Sequence, residues 1–517
     1  MSLARKVATV GTATLFSRLL GFVRDAGIAA VLGAGVLSDA FFAALQIANL
    51  FRRLLAEGAL NSAFVPMWTR IRHDDGADGA RCFGEDVLAT MLVALALFAL
   101  ACVALAPVVV HILAPGFAAT GERFAHAVAY LRLSVPYAAV AGLVAVVAAI
   151  LNAEGRVGAA AFGVVAFNSV MILAVAAVAL TRQSDHAGRV LSFAVVVAGL
   201  AQFALLAGAA ARLPGSPRRL QVTFHPQTRR FFAKVLPGVI AAGMPQLTLM
   251  VGVIIASAAP AAVSWLTYAS RLYELPLGVV SVAIASVLVP AVAASLRGGN
   301  RARIAGAQSR AVEIALALAL PAAAAFALLA APIAGGLFER GAFGPQDTAA
   351  VAAALAAIST GLPGHALEKV FGAVCFARED TRTPMLAALA GLGAATIGAL
   401  VLFPRYGHVG IAAAIAISGW VGATLLGFVL VRRRWLHIDR VAWRRLPRIA
   451  VATALMACAI IAAQALLAPA LGATGMLARL VLLIALVTSG LGVYLAGLQL
   501  LGVARLGDLV TAVRRGI

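Results

Sequence analysis

The chain has few charged residues and few cysteines for its length. Asp, Glu, Lys and Arg together make up 12% of its 517 residues, whereas apolar residues make up 63%. This balance excludes an ordinary soluble globular protein. The four cysteines, Cys82, Cys102, Cys375 and Cys458, form no CxxC pair. They therefore predict neither a disulfide framework nor a cysteine metal site.

The sequence instead contains long apolar runs. Runs of about 20 residues or more predict transmembrane helices, so the fold class is an all-α polytopic membrane protein. We predict 14 transmembrane helices. Their positions are 7–31, 36–66, 84–113, 126–152, 158–181, 187–211, 231–257, 262–294, 309–334, 348–377, 385–403, 408–431, 447–469 and 476–501.

The net charge of +21 comes mainly from arginine-rich loops. Of the 41 basic residues, 28 fall in one alternate set of loops and six in the other. Because cytoplasmic loops carry the excess of basic residues, both termini are expected in the cytoplasm. We expect the linkers near 212–230 and 432–447 to fix topology and contact anionic membrane lipids. No nucleic acid partner is expected, and no loop is long enough for a soluble catalytic domain.

The sequence carries signs of an internal repeat. Pro66 in "FVPMWTR" corresponds to Pro290 in "LVPAVAASLR", and the spacing of these two prolines defines the repeat offset. "NAEGRVGAAAF" resembles "AREDTRTPML", and the turns "HILAPGF" and "GLFERGAF" end the third and ninth runs. We predict two pseudo-symmetric six-helix lobes, 1–215 and 216–434. Two additional C-terminal helices and a cytoplasmic tail would occupy 435–517. Parallel repeats of this kind are typical of transporters with a substrate site at the lobe interface.

Four arginines, Arg18, Arg24, Arg52 and Arg271, lie inside predicted spans. Arg18 is about 17 Å from the start of its run at the rise of an α-helix, which is near the middle of a bilayer. Arginines at such depth normally face a protein interior or an aqueous cavity. Since guanidinium binds phosphate oxygens in a bidentate manner, these residues predict a central cavity for an anionic, phosphate-bearing substrate.

Internal ion pairing is the alternative for the buried charges. Arg271 and Glu274 are separated by i,i+3 and Arg53 and Glu57 by i,i+4, so each pair shares a helix face. Arg18 and Asp25, separated by i,i+7, also share a face, and Asp39 is a further available acid. For Arg132, packing or snorkelling at a membrane surface explains the charge as well as substrate contact does, and the role of Lys369 is equally open.

Several segments together resemble one protein family. They are "SRLLGFVRD" (17–25), "DAFFAALQIANLFRRLLAEGALNSAFVP" (39–66), "APGF" (114–117), "ILNAEGRVGAAAF" (150–162), "YASRLYELPLGV" (268–279) and "KVFGAVCFAREDTRTP" (369–384). These motifs closely resemble the MurJ/MviN family of lipid II flippases. This family lies within the multidrug/oligosaccharidyl-lipid/polysaccharide exporter superfamily, and the resemblance extends over essentially the whole chain.

The resemblance implies a function. Such proteins move undecaprenyl-pyrophosphoryl-disaccharide-pentapeptide from the inner to the outer leaflet of the bacterial cytoplasmic membrane by alternating access. The matching positions imply that Arg18, Arg24, Arg52 and Arg271 hold the pyrophosphate and headgroup. Ser17, Asp39, Ser264 and Glu274 also match positions that look functional. The last two helices resemble those that form a lipid-facing groove for the polyprenyl tail.

The resemblance also bears on partners and cofactors. It implies lipid II and membrane lipids as partners, a functional link to peptidoglycan synthesis enzymes, and action as a monomer. No cofactor, metal or catalytic residue is expected. The family often has Lys-x-Pro-Asn in the second span, where this chain has Gln46, Ile47, Ala48 and Asn49. Ser270 stands where many members have an Asp that precedes the arginine of the eighth span. Some members have a sodium site with acids in the seventh span, and because residues 231–257 contain no acid we expect no sodium coupling.

Three other functions remain as alternatives. A drug exporter or an exporter of another lipid-linked oligosaccharide from the same superfamily would typically have twelve spans. A membrane-embedded glycosyl- or phosphotransferase needs clustered acids for metal binding or general-base catalysis, and the acids of this chain are scattered. A scaffold without transport activity does not explain arginines at the predicted membrane midplane.

Overall fold

The computed structural model describes residues 3–56, 59–181, 184–223, 225–297, 301–473 and 476–503, and these contain helices and turns without any strand. The all-α prediction is therefore confirmed. The chain divides into two compact units: residues up to Ser264 with Arg340–Phe343, and Trp265–Glu339 with the residues from Gly344 onwards. This division does not test the predicted lobe boundaries at 215 and 434.

In the part of the chain that the structure describes, ten helices precede the turn at 257–261. They are α1 (Leu3–Leu32), α2 (Val36–Ala56), α3 (Ala59–Asp74), α4 (Gly76–Ala104), α5 (Ala106–Leu113), α6 (Glu122–Ser134), α7 (Tyr137–Ala153), α8 (Val157–Thr181), α9 (Ser184–Ala210) and α10 (Pro226–Ala256).

Eight further helices follow the same turn in the described residues. They are α11 (Ala262–Arg297), α12 (Arg301–Leu328), α13 (Ala330–Phe338), α14 (Pro345–Ser359), α15 (Leu362–Phe376), α16 (Arg382–Arg432), α17 (Arg440–Ala473) and α18 (Met476–Leu500). The backbone of α16 is non-helical at Gly407, with φ 54°, where the sequence predicts a break between two spans.

Eight helical segments within the described residues are long and apolar enough to cross a membrane. Helices α14 and α15, which meet at a 42° bend, make a ninth candidate if they are counted as one span. The chain is thus a polytopic membrane protein by length and composition of its helices. The count of fourteen and the cytoplasmic location of both termini stay predictions.

Two predicted spans are broken at equivalent places. A non-helical residue separates α4 from α5 at Leu105 and α12 from α13 at Leu329, and these two residues have the same spacing as Pro66 and Pro290. Pro107 and Pro332 follow these breaks, and a proline frees the carbonyl four residues before it. The freed carbonyl of Val103 accepts a hydrogen bond from Arg132 at 3.4 Å, and that of Leu328 accepts one from Gln464 at 3.0 Å. This contact gives Arg132 a structural role.

The turns after α7 and α15 repeat the same backbone pattern. Gly155 and Glu379, again separated by the repeat offset, both adopt a positive φ, 70° and 62°. The N–H of Arg156 donates to the Leu151 carbonyl, and that of Asp380 donates to the Cys375 carbonyl. Because each unit reproduces these bonds internally, the backbone supports the internal repeat predicted from "NAEGRVGAAAF" and "AREDTRTPML".

Polar residues on α4 hold the linker that follows α9. Glu85 and Asp86 are buried. Glu85 accepts from the main-chain N–H groups of Arg218 and Arg219 at 2.7 and 2.9 Å, and Asp86 accepts from those of Thr223 and His225 at 2.8 and 2.9 Å. The carboxylates thus bind the backbone of the linker, and the side chains of Arg218 and Arg219 remain exposed.

The corresponding helix of the second unit holds the linker after α16. The side chain of Gln308 accepts from the N–H of His437 and donates to the carbonyl of Trp435, both at 2.9 Å. Ser309 is the counterpart of Glu85 in the repeat, and its hydroxyl accepts from the N–H of Asp439 at 2.9 Å. Both long arginine-rich linkers are therefore anchored at the same position of the repeat.

The two C-terminal helices pack on α12 and α13. Arg479 of α18 pairs with Glu339 at 2.9 Å. The hydroxyl of Tyr494 donates to the Ala317 carbonyl at 2.7 Å. These contacts hold the additional helices to the second unit, and large apolar residues such as Val451, Leu466 and Ile484 remain exposed on α17 and α18.

Candidate functional site

The charges in α1 are bound by their neighbours. The guanidinium of Arg24 donates to Asp25 through Nε at 2.9 Å and through Nη2 at 2.7 Å. Its Nη1 donates to the side-chain oxygen of Asn168 on α8 at 2.9 Å. Both charged side chains are less than a fifth exposed. Arg24 therefore pairs with the adjacent acid, and the predicted pairing of Asp25 with Arg18 stays a prediction.

Asn168 also binds the start of the charged segment. Its amide donates to the main-chain carbonyl of Ser17 at 3.1 Å. Gly21 lies opposite Asn168, and an added Cβ there would stand 3.6 Å from the amide nitrogen. Ser17 itself is buried. Sequence reasoning missed Asn168, although a lone asparagine in the run "VVAFNSVMIL" is the kind of intramembrane polar residue that signals a role.

The arginines of α2 extend this polar region. Arg18 and Arg52 are partly buried. The positive charges of Arg24 and Arg52 both act on the hydroxyl of Tyr137 in α7. Arg24 of α1 and Arg52 of α2 thus both lie near Tyr137, and whether they line a cargo cavity stays a prediction.

Arg53 has a partner that the sequence did not indicate. Its Nη1 donates to the side-chain oxygen of Gln246 on α10 at 3.1 Å. The predicted partner, Glu57, lies outside the described residues. The ion pair of Arg53 with Glu57 therefore stays a prediction.

Asp39 is the centre of a buried hydrogen-bond network at the start of α2. Its side chain is fully buried. It accepts from the N–H of Ala261 at 2.8 Å, from the N–H of Ser264 at 2.9 Å and from the Ser264 hydroxyl. The hydroxyls of Ser38 and Ser264 are 2.8 Å apart. Asp39 and Ser264, predicted separately, thus form one cluster.

Arg123 adds a cation to the Asp39 cluster. Its Nη1 is 3.7 Å from the Asp39 carboxylate and 3.3 Å from the carbonyls of Ser257 and Ala259. The guanidinium also lies over the ring of Phe117, 4.9 Å from its centre. Arg123 is one of the six basic residues in the less basic set of loops, and the sequence gives no sign of this role because its polar partners come from distant segments of the chain.

The motif "APGF" packs against the same turn. The N–H of Gly116 donates to the Ser257 hydroxyl at 2.9 Å. A Cβ at Gly116 would approach the Ala258 nitrogen to 2.3 Å. Only glycine allows this close backbone approach.

Arg271 and Glu274 belong to the second unit. Their charged groups are 4.0 Å apart on α11, and their side chains are 25% and 32% exposed. The predicted i,i+3 pair is therefore present, at the outer limit for an ion pair. Whether Arg271 lines one cavity with Arg18, Arg24 and Arg52 stays a prediction. Within the described residues no cluster of His, Cys, Asp and Glu is suited to hold a metal ion.

The sequence model of the family described as lipid II flippase MurJ matches residues 28–482. The chain belongs to the lipid II flippase MurJ family. The resemblance noted in the motifs is therefore confirmed over most of the sequence, including the segments that carry Asp39, Arg52 and Arg271. Arg18 and Arg24 precede the matched range.

Named members of the MurJ family are similar along nearly their whole length. A probable lipid II flippase MurJ of Rhizobium meliloti (strain 1021) is 42% identical over 522 residues, which cover 100% of this chain and 97% of the relative. The lipid II flippase MurJ of Burkholderia cenocepacia is 31% identical, with 86% of this chain and 87% of the relative covered.

Solved structures show the same fold. The structure titled "Lipid II flippase MurJ, inward closed conformation" has a TM-score of 0.78 at 21% identity, covering 95% of this chain and 98% of that one. An inward-facing multidrug resistance MATE family transporter of the MOP superfamily has a TM-score of 0.66 at 16% identity, covering 83% and 98%. The MurJ structure is the better match and covers more of the chain.

Proposed function

We propose that the chain is a lipid II flippase. It moves undecaprenyl-pyrophosphoryl-disaccharide-pentapeptide from the inner to the outer leaflet of the bacterial cytoplasmic membrane by alternating access. The observation that carries this proposal is the MurJ family match over residues 28–482, together with a relative 42% identical over the whole chain. A role in peptidoglycan synthesis follows from the chemistry of the substrate.

Arg18, Arg24, Arg52 and Arg271 hold the pyrophosphate and headgroup in this proposal. The geometry of Arg24 supports it: Asp25 occupies two N–H groups of the guanidinium in the way that a phosphate would, and Asn168 orients the third. Binding of the diphosphate exchanges one anion for another, so Arg24 stays compensated with and without cargo. Arg271 and Glu274, at 4.0 Å, separate more easily for the same exchange.

Asp39 and Ser264 have a positioning role in this proposal. They tie the start of α2 to the turn before α11 through buried hydrogen bonds, and they do not contact the cargo. With the termini in the cytoplasm, this cluster lies at the outer end of its helices. Opening toward the outside breaks these bonds.

The reaction is transport without a covalent step, so we assign no catalytic residue. We propose action as a monomer, with peptidoglycan synthesis enzymes linked through the shared substrate. A second function, export of drugs or of another lipid-linked oligosaccharide, is favoured only by the fold likeness to MATE family transporters at 16% identity. That likeness concerns the helical arrangement and carries no information about cargo.

Complementation tests the function and the site together. Cells depleted of their own flippase would express the wild type or variants with Arg18, Arg24, Arg52 or Arg271 changed to Ala. The readout is the amount of lipid II accessible to an enzyme added outside spheroplasts. Arg405→Ala, which removes an exposed arginine of α16, is the matched control. We expect wild type and control to restore lipid II exposure and the four variants to fail while inserting normally.

Each other outcome has a defined meaning. Restoration by all variants would keep the function and reject the arginine site. Failure of a well-inserted wild type would reject lipid II as cargo, and accumulation of another lipid-linked sugar inside would then identify the alternative.

A further inference from the structure

Two titratable side chains are enclosed where α15 packs on the second half of α16. His365 and Glu368 are one helical turn apart on α15. Gly419 and Gly422 have the same spacing on α16. A Cβ at Gly419 would clash with the His365 ring at 2.2 Å, and a Cβ at Gly422 would reach the Glu368 carboxyl at 2.7 Å. The glycines therefore leave space that the imidazole and the carboxyl fill.

His365 lies between two possible partners. Its Nδ1 is 2.7 Å from the Tyr273 hydroxyl of α11 and 3.1 Å from the Gly361 carbonyl. An unprotonated Nδ1 accepts from the hydroxyl, whereas a protonated Nδ1 donates to the carbonyl or to the hydroxyl oxygen. The geometry thus accommodates His365 with and without a proton on Nδ1, and the direction of its hydrogen bond follows the proton.

Tyr273 connects this pair to the candidate cargo residues. It lies two positions after Arg271 and directly before Glu274 on α11. The negative charges of Glu368 and Glu274 both act on its hydroxyl. A change in the pairing of Glu274 with Arg271 therefore changes the electrostatic field at the Tyr273 hydroxyl, which contacts His365.

Other charged groups act on the pair or lie on helices that pack against it. Lys369 acts electrostatically on both His365 and Glu368. The facing stretch of α16, residues 416–427, contains no titratable residue. Helix α12, which also packs on α15, has Glu313 paired with Arg310 and Arg445. Ionisable side chains inside a membrane-spanning helix normally mark a substrate path or a proton relay.

We propose that His365 and Glu368 form a proton-binding site, and that cargo binding promotes proton uptake there. The second part rests on the proposed function. When a diphosphate takes Arg271, Glu274 loses its counter-charge, and the added negative field near Tyr273 favours a proton on the site. The proton comes from solvent and returns to solvent when the cargo is released.

The proton site itself is tested without transport. The full chain in lipid nanodiscs would be titrated and followed by infrared difference spectroscopy of the carboxylic acid C=O stretch. We expect a band that titrates in the wild type and is lost in Glu368→Gln, a substitution that keeps the shape of the side chain. Glu379→Gln changes an exposed acid of the turn that follows α15 and should leave the band intact.

Two further variants separate proton binding from packing. Tyr273→Phe should retain the band and shift its titration midpoint, because only the hydroxyl is removed. His365→Gln should shift it as well. A band that persists unchanged in Glu368→Gln, or wild-type spectra that do not titrate, would overturn the proton site.

The link to cargo is tested by proton counting. Binding of purified lipid II would be measured by calorimetry in buffers of different ionisation enthalpy. We expect net proton uptake by the wild type, lost in Glu368→Gln and retained in Glu379→Gln. Absence of uptake during normal binding would reject the link. Absence of lipid II binding to the wild type would instead reject the proposed function, and the spectroscopic result would stand alone.

Discussion

Asp39 accepts hydrogen bonds from both the N–H and the hydroxyl of Ser264, a residue 225 positions later. The same carboxylate accepts from the N–H of Ala261, which adopts a left-handed φ of 60°. A positive φ costs a non-glycine residue about 1 kcal/mol or more and persists only when the surroundings hold it. The turn before α11 is thus shaped around one side chain of α2.

Removing the Asp39 carboxylate should destabilise the protein strongly. Asp39→Ala leaves buried donors on Ala261 and Ser264 without an acceptor, and breaking a buried charged network costs about 3–5 kcal/mol. Ser264→Ala removes only the hydroxyl and should cost about 1–3 kcal/mol. Thermal unfolding in detergent checks this order. The double variant should lose less stability than the sum of the losses in the two single variants. Equal melting temperatures of Asp39→Ala and the wild type would contradict the prediction.

Gly116→Ala should destabilise the same region by steric overlap. The new Cβ would meet the Ala258 backbone nitrogen at 2.3 Å, and overpacking of this kind costs about 1–3 kcal/mol. Gly208→Ala in α9 is the control, because no atom lies within 4 Å of its added Cβ. The control should be neutral or stabilising by about 0.5–1 kcal/mol. The melting temperatures of the two variants should move in opposite directions, or only that of Gly116→Ala should fall.

Asn168→Ala should impair transport through Arg24. Arg24 would keep Asp25 and lose the hydrogen bond that orients its third N–H group. A hydrogen bond to a charged group contributes about 1.5–3 kcal/mol, which corresponds to roughly 10- to 150-fold in affinity. We expect weaker lipid II binding with the fold retained. Leu173→Ala, which truncates an exposed side chain of α8, is the control, and normal binding by Asn168→Ala would remove Asn168 from the site.

The contribution of Asp380 should depend on pH. Burial acts to raise the pKa of this carboxyl, but hydrogen bonds from Thr383 and Arg433 outweigh it and hold the pKa below its ordinary value of 3.8. Because the pKa is lower in the folded state than in the unfolded state, ionised Asp380 stabilises the folded protein fully above about pH 3.8. This stabilisation is lost as the pH falls below that value. The melting temperature of the wild type should therefore exceed that of Asp380→Asn at neutral pH, and this difference should become smaller in acid. A gap independent of pH would show that the charge is not responsible.

The sequence predicted the positions of helices better than the partners of charges. The repeat offset, found from Pro66 and Pro290, recurs in the breaks at Leu105 and Leu329. Such features depend on residues within one or two helical turns, which the sequence displays directly. The i,i+3 pair of Arg271 and Glu274 was predictable for the same reason.

Partners from distant segments were not predictable. Asn168 lies 144 positions from Arg24, and Arg123 reaches the Ser257 carbonyl 134 positions away. Asn168 was conspicuous in an apolar run, but nothing in that run indicates which helix it faces. Arg123 resembled any loop arginine, since a solvated and a buried arginine have the same sequence signature.

The sequence by itself determined the class of protein and its family, and it predicted an internal repeat and a set of helical spans. Apolar composition, helical length and motif spacing are local properties that survive without knowledge of packing. Only the tertiary structure decided that Asp25 compensates Arg24, that Asp39 shapes the turn before α11, and that His365 and Glu368 fill spaces left by two glycines of α16. These relationships depend on which helix faces are brought together, and a hydrogen bond requires atoms to meet within about 3 Å, which no local pattern specifies.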